Sequence, residues 1–511
     1  MKKMHSTKKW TGKIALGMGV ALALTLGVSM GTARVCAEEP ITLDFVNFPD
    51  EVFRNFVSGQ YDANQNGILE EEEIQSAEEL VFAPAEQMVI NEKDYVDARK
   101  FLDITGIENL HALKKINISG WYLQNIDYIY EIEDLEELTL DYDNMESVDL
   151  SEFQELQYFS ARNNKLKKLD ISENEELIQL YVDGNKLKKL DLKNNKEIKE
   201  LNVSKNDLSK LDLSSLKKLT NFTANDNQLE KVVFAPKARL KTISVNKNFI
   251  KSIDLSKFKK LVSLDVGVNS LSYINVSSNK RLEYLNVSRN SLSSLSLSNN
   301  KRLKTLICYD NKLKTISHSK LKRLEKLDCG ENKFTKIDLS IYKRLKWFRC
   351  NGEGLTELDL SDNEKLVLVD CSNNQIEELD VSNCDDLEAL NCAVNNLEEI
   401  ELGYLPSLTK LYCYENSIDL LDVSGCPSLN IMDLKMFDFT DYYNSDFVEE
   451  EGNGYSYLAD VESEEDDWYS YDDYSSASIE KLVLSRTPYV AGYTEQTLSQ
   501  KLGVQCLFTN Y

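Results

Sequence analysis

Six residues between Asp62 and Glu73 place oxygen atoms where a hard cation would need them. Asp62, Asn64 and Asn66 alternate, and Gly67 follows where the chain must turn sharply. Ile68 offers its carbonyl, Glu70 stands at the ninth position of the stretch, and Glu73 closes it. The order D-x-[DN]-x-[DN]-G-x5-E wraps roughly six to eight oxygens around one point, with the last carboxylate giving two and the ninth position acting through water. Oxygen-only ligation at this spacing suits Ca2+. The expected ligands are Asp62, Asn64, Asn66, Ile68, Glu70 and Glu73. A solvated acidic turn is the competing reading.

Such a loop needs a helix on each side. Upstream, "FPDEVFRNFVSGQ" carries Phe48, Val52, Phe53 and Phe56 at helical spacing with Pro49 early; downstream, "EEEIQSAEEL" can form the exiting helix. There is one loop and no second copy, so a paired sensor is not expected. The segment 38–83 reads as an EF-hand-like helix-loop-helix cap, stiffened by calcium at extracellular concentrations.

Beyond it the chain repeats. Asp143, Asn164, Asn185, Asn206 and their successors to Asn416 recur every 21 residues, and twelve of these fourteen positions are Asn. The unit reads L-x-x-L-x-[VCA]-x-x-N-x-L-x-x-L-D-L-S. Apolar positions at spacings of three and two put one short strand on each coil. A single coil cannot bury its apolar edge, so coils must stack into one continuous core. An inward Asn amide would satisfy backbone groups at the bend. The unit resembles the short bacterial leucine-rich repeat. That resemblance implies a parallel-sheet horseshoe or arc, mostly strand and turn, with the helical segment as its N-terminal cap.

Other residue types invite chemistry that their spacing argues against. Cys308, Cys329, Cys350, Cys371, Cys392 and Cys413 fall 21 apart, in the slot that Val182, Val203 and Ala224 fill earlier. They read as small buried apolar side chains with free thiols, because side chains stacked in register do not reach the torsion a disulfide needs. Cys384 and Cys426 share another slot two coils apart, too far to join. The Asp of "LDLS" also forms a column, from Asp149 to Asp422, better read as turn chemistry with the following Ser than as a calcium array. Glu353 replaces Asn in the ladder. His318 takes an apolar slot and reads as filler. Beyond the leader only His111 and His318 remain, and no nucleophile elbow, phosphate loop or H-E-x-x-H is present. No catalytic residue and no enzyme is expected.

Residues six, four and two before the ladder position point out of the sheet. Early coils carry small polar side chains there, such as Ser160, Asn202 and Thr223. Later coils carry Ile307, Tyr309, Asp328, Trp347, Arg349, Asp370, Tyr412 and Tyr414. Exposed aromatics with Arg and Asp have the composition of an interface hot spot, centred on Trp347 and Arg349. An idle solvated face is the alternative.

The ends set the compartment. Lys2, Lys3, Lys8, Lys9 and Lys13 precede an apolar run from Ile14, which closes at Val35 and Ala37 in "ARVCA"; residues 1–37 read as a signal peptide. Export follows, with release or loose surface retention and no membrane insertion of the mature form. The formal net charge of −26 argues against nucleic acid and anionic membrane as partners. The expected units are 1–37, the cap 38–83, the solenoid 84–437, an acidic Tyr-rich insertion 438–477 and a C-terminal coil or cap 478–511. Signal segment, EF-hand-like cap and short repeats together resemble the secreted internalin-like proteins of Gram-positive bacteria. The resemblance implies a monomeric, non-enzymatic protein that binds a protein or peptide through its sheet face. A glycan-binding module and a structural surface spacer or adhesin fragment are the other readings.

Overall fold

The computed structural model describes residues 40–83, 101–317, 321–429, 481–484, 494–502 and 505–508. The expected signal peptide, His318 and the insertion 438–477 lie outside the described residues.

Each coil contributes a short strand whose middle side chain points inward. Leu180, Leu201, Phe222, Ile243 and Leu264 form one such buried column. Burial of each is worth about 1.5–3 kcal/mol. The strands pair in parallel at a constant offset, Glu200 lying against Gln179 on one side and Asn221 on the other. Sixteen strands join in one sheet. It runs from β3 (Glu79–Val81) to Lys410–Tyr412. The chain is thus a leucine-rich repeat solenoid with little helix. Its sheet begins at Glu79, ahead of the expected solenoid boundary at 84.

The ladder Asn bridges successive coils. Asn206 Nδ2 donates to Val182 O at 2.9 Å and Val203 O at 3.1 Å, while its Oδ1 accepts from Leu187 N at 2.9 Å. The residue just before the ladder position turns left-handed in coil after coil. Gly184 and Gly352 meet that demand at φ 69° and 73°, but Val268 and Val394 adopt it at 48° and 57°. On the opposite side, the "LDLS" aspartates cap their own turns. Asp254 Oδ1 accepts from Ser256 N at 2.9 Å and Asp359 Oδ1 from Ser361 N at 3.0 Å, the turn chemistry expected of them.

A second Asn column was not legible in the repeat. Asn174, Asn195, Asn279, Asn300 and Asn363 are completely buried. Each gives its amide hydrogens to two carbonyls of the preceding coil, as Asn195 does to Ile171 O and Asn174 O at 2.7 and 2.8 Å. Their Oδ1 atoms are buried without a donor.

The N-terminal cap holds α1 (Glu51–Tyr61) and α2 (Glu71–Ser76). Asp50 caps α1 by accepting from Val52 N and Phe53 N. The buried stripe of α1 is Phe53, Val57 and Tyr61, whereas Val52 faces solvent, so the helix is rotated from the expected face. The exiting helix is also shorter than expected, because Glu79–Val81 already pairs with Lys115–Asn117 as sheet. At the far end, Lys481–Leu484 pairs in parallel with Leu420–Asp422 and with Gln505–Phe508. The segment therefore continues the minor strand column of the coils, within the stretch 478–511 expected as a C-terminal coil or cap.

Candidate functional site

The register brings the expected face residues together. Asp328, Arg349 and Asp370 stand side by side on consecutive strands, as do Lys326, Trp347 and Leu368. Arg349 lies between the two carboxylates, its Nη1 3.8 Å from Asp328 Oδ2 and its Nε 3.6 Å from Asp370 Oδ2. Neither distance is that of a hydrogen-bonded pair. The Nε instead donates to Asn351 Oδ1 at 2.7 Å, and the guanidinium lies 5.6 Å from the Tyr309 ring centre. Burial pushes the Asp328 carboxyl up to about 6, against the opposing pull of Arg349 and Lys326. Its Oδ1 is buried and has no donor.

Exposure differs from expectation. Trp347 and Tyr412 are both only 4% exposed. Trp347 packs on Leu368 and Ala389 of the next two strands, and Lys326 Nζ covers its ring at 4.0 Å. Strands about 4.8 Å apart let a large ring lie over small neighbours, so its outward position does not leave it exposed. Tyr309 and Tyr414 are half-buried. The accessible chemistry of this patch is therefore that of Tyr309, Arg349 and Tyr414 above a floor holding Asp328 and Asp370.

The same face carries a second cluster nearer the N-terminus. Arg162 stacks over the Tyr181 ring at 4.4 Å and lies 3.5 Å from Asp183 Oδ1. Tyr158 and Tyr181 approach at 5.6 Å between ring centres, and the Tyr181 hydroxyl donates to Glu200 Oε2 at 2.6 Å. Burial raises the Asp183 carboxyl to about 6. The signal was present in the sequence as Tyr181 in the outward slot, masked by small polar neighbours.

In the cap, Gly67 adopts φ 79° and begins the link to β2 (Ile68–Leu69). This strand pairs antiparallel with β1 (Ile41–Thr42). Asp62 accepts from Asn66 N and Gly67 N at 3.1 and 2.9 Å. Asn64 Oδ1 accepts from Asn66 N at 2.9 Å, and Asn66 Oδ1 from Ile68 N at 2.8 Å. Glu73 reaches back to Ala63 N and Glu70 N at 2.9 and 3.0 Å, one with each oxygen. Those bonds fix the side chains on the loop and leave each oxygen a second lone pair for a cation. Among the described residues no three His, Cys, Asp or Glu side chains form a metal site by themselves. A cation here would draw equally on Asn64, Asn66 and the Ile68 carbonyl.

The nine described cysteines are all buried, and the eight from Cys308 to Cys426 are free thiols. Burial pushes the thiols of Cys308, Cys329, Cys350 and Cys392 well above their usual range. Glu353, the exception in the Asn ladder, accepts from Asn332 N and Phe334 N with its two oxygens at 2.6 and 2.8 Å. Burial raises its carboxyl to about 7. His111 lines an open groove between cap and first coils, with Gln75 Nε2 3.3 Å away.

The family model "Leucine Rich repeats (2 copies)" matches residues 301–343. No curated protein matches the chain. Among solved structures, the functional domain of InlJ from Listeria monocytogenes, described as including a cysteine ladder, is 25% identical with a TM-score of 0.52, over 78% of this chain and 76% of that one. An internalin from Listeria monocytogenes str. 4b F2365 gives 20% identity and a TM-score of 0.57, over 66% of this chain and 100% of that one. The HAESA ectodomain of Arabidopsis, solved with an IDA peptide hormone ligand, gives 19% and 0.51, over 64% and 63%. The repeats and the fold are those of leucine-rich repeat proteins, and the chain is similar to Listeria internalins. Among the described residues no helix is long and apolar enough to cross a membrane.

Proposed function

We propose that this is a secreted, non-enzymatic binding protein that takes a protein or peptide partner on the concave face of its solenoid. The observation that carries the reading is the Asp328–Arg349–Asp370 row, a charged, aromatic-flanked patch on an otherwise rigid sheet. The sheet lends itself to recognition because its strands are fixed by the ladder, so a partner orders little on binding. The peptide ligand of the HAESA ectodomain supports this class of partner. Half-buried Tyr309 and Tyr414 also suit sugar stacking, which keeps a glycan as the second reading.

The cap is proposed to hold Ca2+ through Asp62, Asn64, Asn66, Ile68 O and Glu73, with Glu70 acting through water. When bound, the ion would neutralise converging carboxylates and cross-link loop to helix. Its part is mechanical, since α2 leads directly into β3, the first strand of the sheet.

The test of the partner face is an affinity capture with the full chain against Arg349→Ala and Tyr414→Ala. A partner lost from both variants and kept by a back-face variant, Asp254→Asn, supports the reading. Equal capture by all three sinks it, and retention on polysaccharide would favour the glycan.

A further inference from the structure

The two clusters on the concave face share an arrangement. Each has an Arg stacked on a Tyr, set beside carboxylates it does not satisfy. Asp183 Oδ1 and Asp328 Oδ1 are both buried without a hydrogen-bond donor, although an arginine stands 3.5 to 3.8 Å from each side chain. A buried carboxylate oxygen lacking a donor is costly, and a second cation would relieve it. Acids outnumber bases at both places. Asp141 and Asp183 lie against Arg162 with Glu200 on the neighbouring Tyr181, and Asp328, Asp370 and Glu331 lie about Arg349 and Lys326.

The floor between them differs. Outward side chains from Asn221 to Asn286 are Asn, Thr, Ser and Tyr, and Asp265 alone is charged. Several of these residues satisfy one another, although Thr242 Oγ1 is buried without a partner. Ser244 Oγ donates to Asn225 Oδ1 at 2.7 Å, and Asp265 Oδ1 accepts from Gly267 N at 2.9 Å. The floor therefore offers no charged anchor of its own. Anchors stand at the ends and a flat neutral strip lies between them.

We propose that the Arg162–Asp183 cluster and the Asp328–Arg349–Asp370 row are two anchors for one extended, basic segment of the partner, which lies across the strands and places a Lys or Arg at each. The inference rests on the concave-face reading above. Seven strand steps separate the Gln179–Tyr181 strand, which leads into Asp183, from the strand of Asp328. At about 4.8 Å each, that is about 34 Å, which an extended chain covers in about 10 residues.

The test uses labelled synthetic peptides and the full chain, with binding read by fluorescence anisotropy. One peptide of about 16 Gly/Ser-rich residues carries an Arg pair at both ends, enough to span about 50 Å. A second carries the pair at one end, and a third has Glu pairs at both ends. Two anchors predict that the two-ended basic peptide binds about tenfold tighter or more than the one-ended one. Asp183→Asn and Asp328→Asn, both isosteric, should each reduce it to one-ended affinity without lowering the thermal melt. Equal binding of the one- and two-ended peptides overturns the proposal, as does tighter binding of the Glu peptide. If Asp328→Asn weakens binding and Asp183→Asn does not, the two-anchor inference fails and the concave-face reading stands. If neither does, both fail.

Discussion

Asn185 and Leu166, nineteen residues apart, are joined by the Asn185 side chain, whose Oδ1 accepts from Leu166 N at 2.9 Å. The same amide donates to Ala161 O at 2.8 Å and Val182 O at 3.1 Å, so one residue stitches a coil to its predecessor. A solenoid in which each coil touches only its neighbours depends on such stitches for its stability.

Replacing an interior ladder residue should therefore be expensive. Asn206→Ala leaves Leu187 N without its acceptor and takes from Val182 O one of its two donors, the Asn185 amide remaining. At about 1–3 kcal/mol for a buried group left unmade, a loss of about 1–3 kcal/mol is expected in urea denaturation. Asp254→Ala, which removes one exposed turn bond, should stay within about 1 kcal/mol. Comparable losses from the two would contradict the ladder account.

Glu353 makes stability depend on pH. Its carboxyl is held at about 7 by burial, against 4.5 for an ordinary glutamate. Between those values the folded chain holds the proton and the unfolded chain has released it. Stability then falls as pH rises through this window and levels off above it. Asp183 and Asp328, raised to about 6, act in the same direction. Melting temperatures taken from pH 4.5 to 8 should fall, and Glu353→Gln should flatten the slope above pH 6. An unaltered slope in that variant would assign the effect elsewhere.

Calcium should raise the melting temperature if the cap holds it. Saturation about a hundredfold above Kd corresponds to about 2.7 kcal/mol for a single site. Glu73→Gln should abolish the rise, because Glu73 supplies both the closing ligand and the bonds to Ala63 N and Glu70 N. The protection should extend to β3 and be visible as slower amide exchange at Glu79–Val81. A melt indifferent to both calcium and chelator would remove the metal from the cap.

The solenoid thiols should be chemically silent in the fold. Cys371 and its companions are completely or almost completely buried, and burial raises their thiols. Ellman's reagent should find them only after denaturation. Cys371→Val should change stability by less than about 1.5 kcal/mol, as for a near-isosteric swap, since earlier coils hold Val in this slot. Fast native labelling of several thiols would show the core more open than described.

What the sequence disclosed was whatever repeated with chemical identity. Asn206 and Cys371 announce their columns because one residue type recurs at one period. Asn195 does not, because its slot also holds Phe258, Leu321, Tyr342 and Cys384, which hide a polar column among apolar side chains. Position on the concave face was legible for Trp347, but exposure was not. Exposure depends on Leu368 and Ala389, two coils of neighbours that no local pattern joins to it. The Arg162–Asp183 cluster escaped for a similar reason, since its members come from different strands.

One strain in the repeat can be relieved. Val268 and Val394 sit left-handed at φ 48° and 57°, a conformation their branched side chains oppose by about 1–2 kcal/mol. Asn163 and Asn373 fill the equivalent slot in other coils with similar φ, and Asn tolerates this region. Val268→Asn should therefore gain about 0.5–1.5 kcal/mol in urea denaturation. The double variant should gain nearly the sum, since the two sites lie six coils apart and share no partner. A loss of stability would mean that contacts of the valine methyls outweigh the backbone strain.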